Sequence, residues 1–242
     1  MSKAWALIRF SRLGMVLKDW AVVMALIIWV GARPTASFQT LWAALTLFVT
    51  LAFMHMINDL EDADEDAQDP AKVDRNPVSS GALSRREAVF ATALTGTVAA
   101  VMHLALPLGA MVVGMSVWSM GLLYSWRPVR LKAIPGLDII SHSYGGGAGL
   151  VLFFAVLDGS TFDVYTVVAM IGSFLGSMGG CLYNQTRDWE VDRLAELDNS
   201  AHRLGYRSAR RAMISSYALG GSLLVIGGVK FFQPWIRETF LT

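Results

Sequence analysis

The sequence predicts an all-α, polytopic membrane helical bundle of about seven transmembrane helices with a cytoplasmic N-terminus, and three observations predict it. Of the 242 residues, 54% are hydrophobic and only 16% charged, with a mean hydropathy of +0.47; ordinary soluble domains are not built this way. Apolar runs of spanning length recur along the chain. Basic residues between those runs fall on alternate sides, the pattern that orients helices in a membrane.

A bilayer core about 30 Å thick takes roughly 20 apolar residues as helix. Seven stretches qualify, near 13–32, 38–58, 88–106, 109–126, 137–157, 163–184 and 208–229. The first is expected to be retained, not removed as a signal peptide, because no small-residue cleavage pattern precedes it. The second runs straight into an acidic stretch. Between the third and fourth lies Pro107-Leu108-Gly109; one helix of roughly 40 residues would overshoot the bilayer and be interrupted by the proline, so two spans joined by a tight turn are expected. In the fifth, Gly145, Gly146, Gly147 and Gly149 are expected to permit close helix approach or a local bend, and Gly176, Gly179 and Gly180 of the sixth read alike. After the seventh, Phe231, Phe232, Trp235 and Phe240 surround Pro234, so Lys230–Thr242 reads as a short interfacial segment. Residues 1–242 are read as a single membrane domain.

Orientation follows from charge. With the N-terminus inside, the inside segments hold Lys3, Arg9, Arg12 and Lys18, then Lys72, Arg75, Arg85 and Arg86. They also hold Arg127, Arg130 and Lys132, and finally Arg187, Arg193, Arg203, Arg207, Arg210 and Arg211, which makes 17 of the 20 basic residues. Outside are only Arg33, Lys230 and Arg237. The net charge of +1 argues against a nucleic-acid partner, and the lone Cys181 excludes a disulfide framework or a Cys-rich metal site. An integral protein of the cell (inner) membrane is expected, with membrane lipid as its surroundings.

Carboxylates are as uneven. Asp59, Glu61, Asp62, Asp64, Glu65, Asp66, Asp69 and Asp74 crowd one inside loop, and Asp188, Glu190, Asp192, Glu196 and Asp198 another, 13 of the 19 in all. Each loop follows the C-terminal end of an apolar helix, which places the chemistry on the cytoplasmic face. Asn58, Asp62 and Asp66 recur every fourth residue, so a continuing helix puts them on one face with Asp59 beside it. Asn184, Asp188 and Asp192 repeat the spacing, with Glu196 a turn further on. Stacked like charges repel, and a divalent cation reverses the sign. Oxygen ligands without His or Cys favour Mg²⁺, which takes one or two carboxylates plus phosphate oxygens. Two such helix ends facing each other can hold a diphosphate. Arg127, Arg130 and Lys132 in the loop between supply positive charge for it, with Arg75 a weaker candidate. A solvated acidic loop and plain topology anchors are the bland alternatives.

These residues resemble the UbiA-type intramembrane prenyltransferases. Asn58, Asp59, Asp62 and Asp66 match the family's NDxxDxxxD motif, and Asp188 and Asp192 its DxxxD. Tyr124-Ser125 through Pro128 to Lys132 is similar to YSxxPxxxK. Asp74 to Ser84 is similar to the NRPxxxGxxS stretch, with Arg75 and Asn76 exchanged in order. The register holds across roughly residues 50 to 210. The resemblance implies a bundle with a lateral opening for an isoprenoid tail and two Mg²⁺-bearing motifs that bind a prenyl diphosphate. Carried over, Asn58, Asp59, Asp62, Asp66, Asp188 and Asp192 become metal or diphosphate ligands, and Arg130 and Lys132 contact the diphosphate. Most members have nine spans; seven are read here.

Ionising an allylic C–O bond needs stabilisation stronger for the separated charges than for the substrate. Asn184, Arg75, Tyr124, Tyr183 and His55 are expected at the substrate. Aromatic faces, among them Trp118, Tyr144 and Phe174, are candidates to attract a carbocation, with ordinary helix packing the alternative. His142, like His55, is a candidate to touch an acceptor or take a proton. The leading expectation is Mg²⁺-dependent transfer of an isoprenoid group from a prenyl diphosphate to a lipophilic or aromatic acceptor. A terpene cyclase using the same ionisation without an acceptor is the alternative, and a Mg²⁺ channel a third.

Overall fold

The computed structural model describes residues 2–29, 37–157, 163–194 and 197–240, with the side chains of 22–23, 25–29 and 227–240 left undescribed. All regular structure there is helical: α1 Lys3–Phe10, α2 Leu13–Trp29, α3 Phe38–Glu61, α4 Ala63–Asp66, α5 Arg85–Leu104, α6 Leu108–Ser125, α7 Leu137–Ser143, α8 Gly149–Leu157, α9 Val164–Arg187, α10 Trp189–Leu194, α11 Ser200–Leu204 and α12 Tyr206–Phe240. Five elements are long and apolar enough to cross a membrane: α3, α5, α6, α7 with α8, and α9. α2 and α12 lie in the first and last of the expected runs. Large apolar side chains face outward along them, Phe90, Leu94 and Leu104 on α5 for example, as an integral membrane protein requires.

Helix boundaries follow local chemistry. Ser84 and Glu87 form a capping box that starts α5, Ser37 caps α3, and Asp163 caps α9 through the Thr166 amide. Pro107 ends the turn between α5 and α6, which bears out two spans rather than one long helix. Within the fifth run the backbone widens into a π-helical turn at Tyr144–Ala148. There Gly147 lies so close to α9 that a Cβ would stand 2.5 Å from the Ser173 carbonyl oxygen. The expected bend is thus a register shift that glycine permits.

Central in the bundle is α3, whose Ala43, Leu47, Leu51 and Ala52 pack with Val117, Leu150 and Phe153. At its acidic-motif end Phe53, Met56, Ile57 and Leu60 meet Leu83, Ala88 and two residues of α1, Ala6 and Phe10. The mixed polarity before residue 13 concealed α1 as a helix; its buried pair docks it on this cluster. α9 and α12 approach closely, with Gly220 backed against the Gly172 carbonyl. Of the tail expected as a short interfacial segment, residues 230–240 continue α12 without a break.

Candidate active site

Both acidic ladders are built by the same backbone device. α3 stops at Glu61 because Asp62 leaves the helical region (φ −90°, ψ 0°), and α4 restarts at once. α9 stops at Arg187 because Asp188 does likewise (φ −92°, ψ 14°), and α10 follows. The expected continuous helix is therefore broken at the middle Asp of each ladder. Yet the one-turn spacing survives. Asp62 N–H donates to the Asn58 carbonyl at 3.0 Å and Asp66 N–H to that of Asp62 at 2.8 Å; Asp188 and Asp192 do the same to Asn184 and Asp188, each at 2.9 Å. Three side chains per ladder stay on one face.

Those faces line a single cavity of about 600 Å³, which also takes in Leu51, Met54, Met120, Leu150 and Val151. One end is charged and the other mainly apolar, with His142, hydrogen-bonded to Ser177, among its lining. Lysines stitch the ladders together. Lys132, in a 3₁₀ turn at Leu131–Ala133, is 8% exposed and donates to both Asp62 oxygens, at 2.6 Å to Oδ2, while its charge also reaches Asp192. Lys72, on the loop after α4, donates to Asp188 Oδ2 at 3.1 Å and lies in the field of Asp66 and Asp192. Arg130 binds Glu65 Oε2 at 2.6 Å and approaches Asp62.

Burial and mutual repulsion mark the carboxylates. Burial, then the Asp188 charge, pushes Asp192 up to about 6. Burial likewise raises Asp66, against a hydrogen bond from Asn76. Asp188 is buried too, but Arg187 and Lys72 outweigh that and hold it below the usual carboxylate range. Burial opposes the Arg130 charge, and Glu65 and Asp62 reverse the balance and raise it. Carboxyls held up in this way gain most from an added cation.

Asn58, Asp62, Asp66, Arg75, Tyr124, Arg130, Lys132, Asn184, Asp188, Asp192 and His55 all line the cavity. Three expected residues do not: Arg127, which pairs with Glu61, Asp64 and Glu65 instead, Asp59 and Tyr183. Asp59 is fully buried and clamped by Arg12, whose Nε donates to Oδ2 at 2.8 Å; one residue beyond Asn58, it points about 100° round the helix, away from the ladder face. Tyr183 sits on the outer surface, 48% exposed, with the Arg187 guanidinium over its ring. Among the aromatic candidates, Trp118 stacks on Phe53 at 5.3 Å between centroids and Tyr144 hydrogen-bonds Ser116. Neither they nor Phe174 lines the cavity. Glu196 lies outside the described residues.

Several residues went unread in the sequence. Asn76, fully buried, donates to the Asp59 carbonyl at 2.7 Å and to Asp66 Oδ2 at 3.0 Å, which fixes the loop beneath the first ladder. Asn199 does the same for Asp192 Oδ2 at 3.0 Å. Asp138, also fully buried, accepts from Gln185 Nε2, from the Ser200 amide and hydroxyl, and from the Ile139 amide, tying α7, α9 and α11 together. The order Arg75-Asn76 was the one available signal, since it sets the amide where it reaches both ladder and loop.

Among the described residues no three His, Cys, Asp or Glu side chains stand close enough to hold a metal unaided. That suits Mg²⁺, which needs one or two carboxylates when phosphate oxygens and water complete its shell. Each ladder offers such a set, all oxygen and all facing the cavity.

Comparison with known proteins gives a consistent answer. Residues 20–237 match the model of the UbiA prenyltransferase family. Two proteins named lycopene elongase/hydratase are similar: one from Haloarcula japonica, 31% identical over 175 residues, 71% of this chain and 58% of that one, and one from Haloferax volcanii, 29% identical over 179 residues, 73% of this chain and 55% of that one. The chain thus spans little more than half the length of these relatives. Among solved structures, a UbiA homologue from Archaeoglobus fulgidus bound to GPP and Mg²⁺ superposes with a TM-score of 0.74 at 20% identity, covering 98% of this chain and 84% of that one. A UbiA homologue from Archaeoglobus fulgidus bound to DMAPP and Mg²⁺ gives 0.71 at 21%, covering 91% and 75%. An apo UbiA homologue from Aeropyrum pernix K1 gives 0.67 at 17%, covering 96% and 81%. At such identities the likeness establishes the fold.

Proposed function

Since this chain belongs to the UbiA prenyltransferase family, we propose that it transfers an isoprenoid group from a short prenyl diphosphate to an isoprenoid alkene in the membrane, with Mg²⁺ held by the two ladders at the cytoplasmic face. The observation that carries this reading is the convergence of both ladders on one cavity whose far wall is mainly apolar. GPP and DMAPP bound with Mg²⁺ in UbiA homologues from A. fulgidus support the donor class, and the lycopene elongase/hydratase relatives support an isoprenoid acceptor.

Asn58, Asp62 and Asp66 on one side and Asn184, Asp188 and Asp192 on the other would hold the metal. When bound, Mg²⁺ stabilises the charge that gathers on the departing diphosphate. Lys132, Arg130, Lys72 and Arg75 would meet its outer oxygens. Bringing in metal and diphosphate together lets each lysine exchange a carboxylate for a phosphate partner without leaving a buried charge unpaired. Leu51, Met54, Met120, Leu150 and Val151 would receive the tail, at about 0.8 kcal/mol per buried CH₂, and keep water from the cationic carbon.

The protein in lipid vesicles, given Mg²⁺ and dimethylallyl or geranyl diphosphate, is expected to release diphosphate and form a coupled product only with an acyclic isoprenoid acceptor. A cyclic product formed without acceptor would replace this reading with a cyclase. Asn76→Ala, which frees Asp66 from its support, is expected to raise the Mg²⁺ concentration for half-maximal turnover ~10–100-fold; an unchanged Mg²⁺ requirement would remove Asn76 from that role.

A further inference from the structure

Asp19 is a carboxylate within α2, in the first of the expected apolar runs, where ionisable groups are uncommon and usually functional; its side chain is 44% exposed. Its Oδ2 lies 3.1 Å from His55 Nε2 on α3, and both side chains line the cavity. His55 is three residues before Asn58, which sets it about 4.5 Å deeper along the helix axis, where the charged mouth gives way to Met54 and Leu51. Asp59, one turn on from His55, is engaged with Arg12. An imidazole that donates its Nε2 proton to a carboxylate keeps its lone pair on Nδ1, and among the described residues Nδ1 has no hydrogen-bond partner.

We propose that the Asp19–His55 pair is the proton acceptor that ends the reaction. This rests on the transferase reading. The donor's C1–O bond breaks and its electron pair leaves with the diphosphate. The acceptor's double bond supplies the pair that forms the new C1–C bond, leaving a cation one carbon away. An adjacent C–H bond then gives its electrons to a new double bond while His55 Nδ1 takes the proton, and the Asp19 carboxylate faces the resulting imidazolium. The depth of the pair suits this step, because C1 is bonded to the diphosphate and the carbon that loses the proton is only a few bonds further in.

The test compares wild type, Asp19→Asn, His55→Gln and the double variant in vesicles, with Mg²⁺, geranyl diphosphate and an acyclic isoprenoid acceptor. Three quantities are read: Mg²⁺-dependent binding of the donor, diphosphate released, and coupled product. Donor binding is expected to stay within about 3-fold of wild type, while coupled product falls ~10²–10⁴-fold and falls further than diphosphate release. The double variant is expected to be no worse than the worse single one, since the pair acts as a unit. An unchanged ratio of product to diphosphate, losses that multiply in the double variant, or loss of donor binding in Asp19→Asn would each overturn the proposal, the last by making the pair a tie between α2 and α3. Failure of wild type with every donor would instead count against the transferase reading itself.

Discussion

Asp62→Ala and Asp188→Ala are each expected to lower turnover ~10³-fold or more, the size of effect seen when charge stabilisation at a developing anion is removed. Asp62 is the middle rung of its ladder, and Asp188 occupies the corresponding helix break, so each substitution removes one side of the clamp while leaving the backbone break intact. The two differ in their structural cost. Without Asp62 the ammonium of Lys132, buried to 9% exposure, loses the carboxylate it binds. That costs about 1–3 kcal/mol, less than a fully buried pair because Asp62 itself keeps 20% exposure. Asp188 leaves Lys72 and Arg187, which are more open to water, so little stability is lost there. Diphosphate release measured beside thermal unfolding separates the two effects: both variants inactive, Asp62→Ala with the lower melting temperature. Near-normal turnover in either would remove that residue from the site.

The largest effect on stability is expected at Asp138, which no motif includes. Its carboxylate is fully buried and satisfies the Gln185 amide, two groups of Ser200 and the Ile139 N–H. Asp138→Ala leaves the Ser200 and Ile139 donors unpaired inside the protein and Gln185 with only the Cys181 sulfur, a loss of ~3–5 kcal/mol by analogy with breaking a buried charge from its partners. Ser200 opens α11 directly after Asn199, which holds Asp192. The segment that positions the second ladder should therefore loosen first. Limited proteolysis is expected to cut near residues 197–204 in this variant well before wild type. Resistance equal to wild type would show that the network is dispensable.

The ladders were legible in the sequence because a four-residue period is a statement about one helix face, and both occurrences sat at the end of an apolar run. The Pro107 turn was legible for a similarly local reason, as proline cannot continue a helix of that length. What escaped depended on contacts distant in sequence. Asp59 belongs to the motif by spelling, but its partner Arg12 comes from 47 residues earlier, and only packing reveals that the motif's second letter is an internal ion pair. Lys72 and Asp188 are 116 residues apart, so their pairing carried no local signal. Asp19 and Asp138 fall inside expected apolar runs with no local pattern to single them out, and their partners come from α3, α9 and α11. The π turn was foreshadowed by its glycines, although composition alone does not separate a bend from a change of helical register.

The proposed function has two acidic ladders closing on one diphosphate. Its most direct test is a structure of the protein with Mn²⁺ in place of Mg²⁺ and a non-ionisable prenyl thiodiphosphate, in which anomalous scattering locates the metal. Metal is expected on both sides of the diphosphate, one position touching Asp62 or Asp66 and the other Asp188 or Asp192, with the prenyl chain running toward Met54 and Leu150. Metal and diphosphate bound by one ladder alone, or lying outside this cavity, would contradict it.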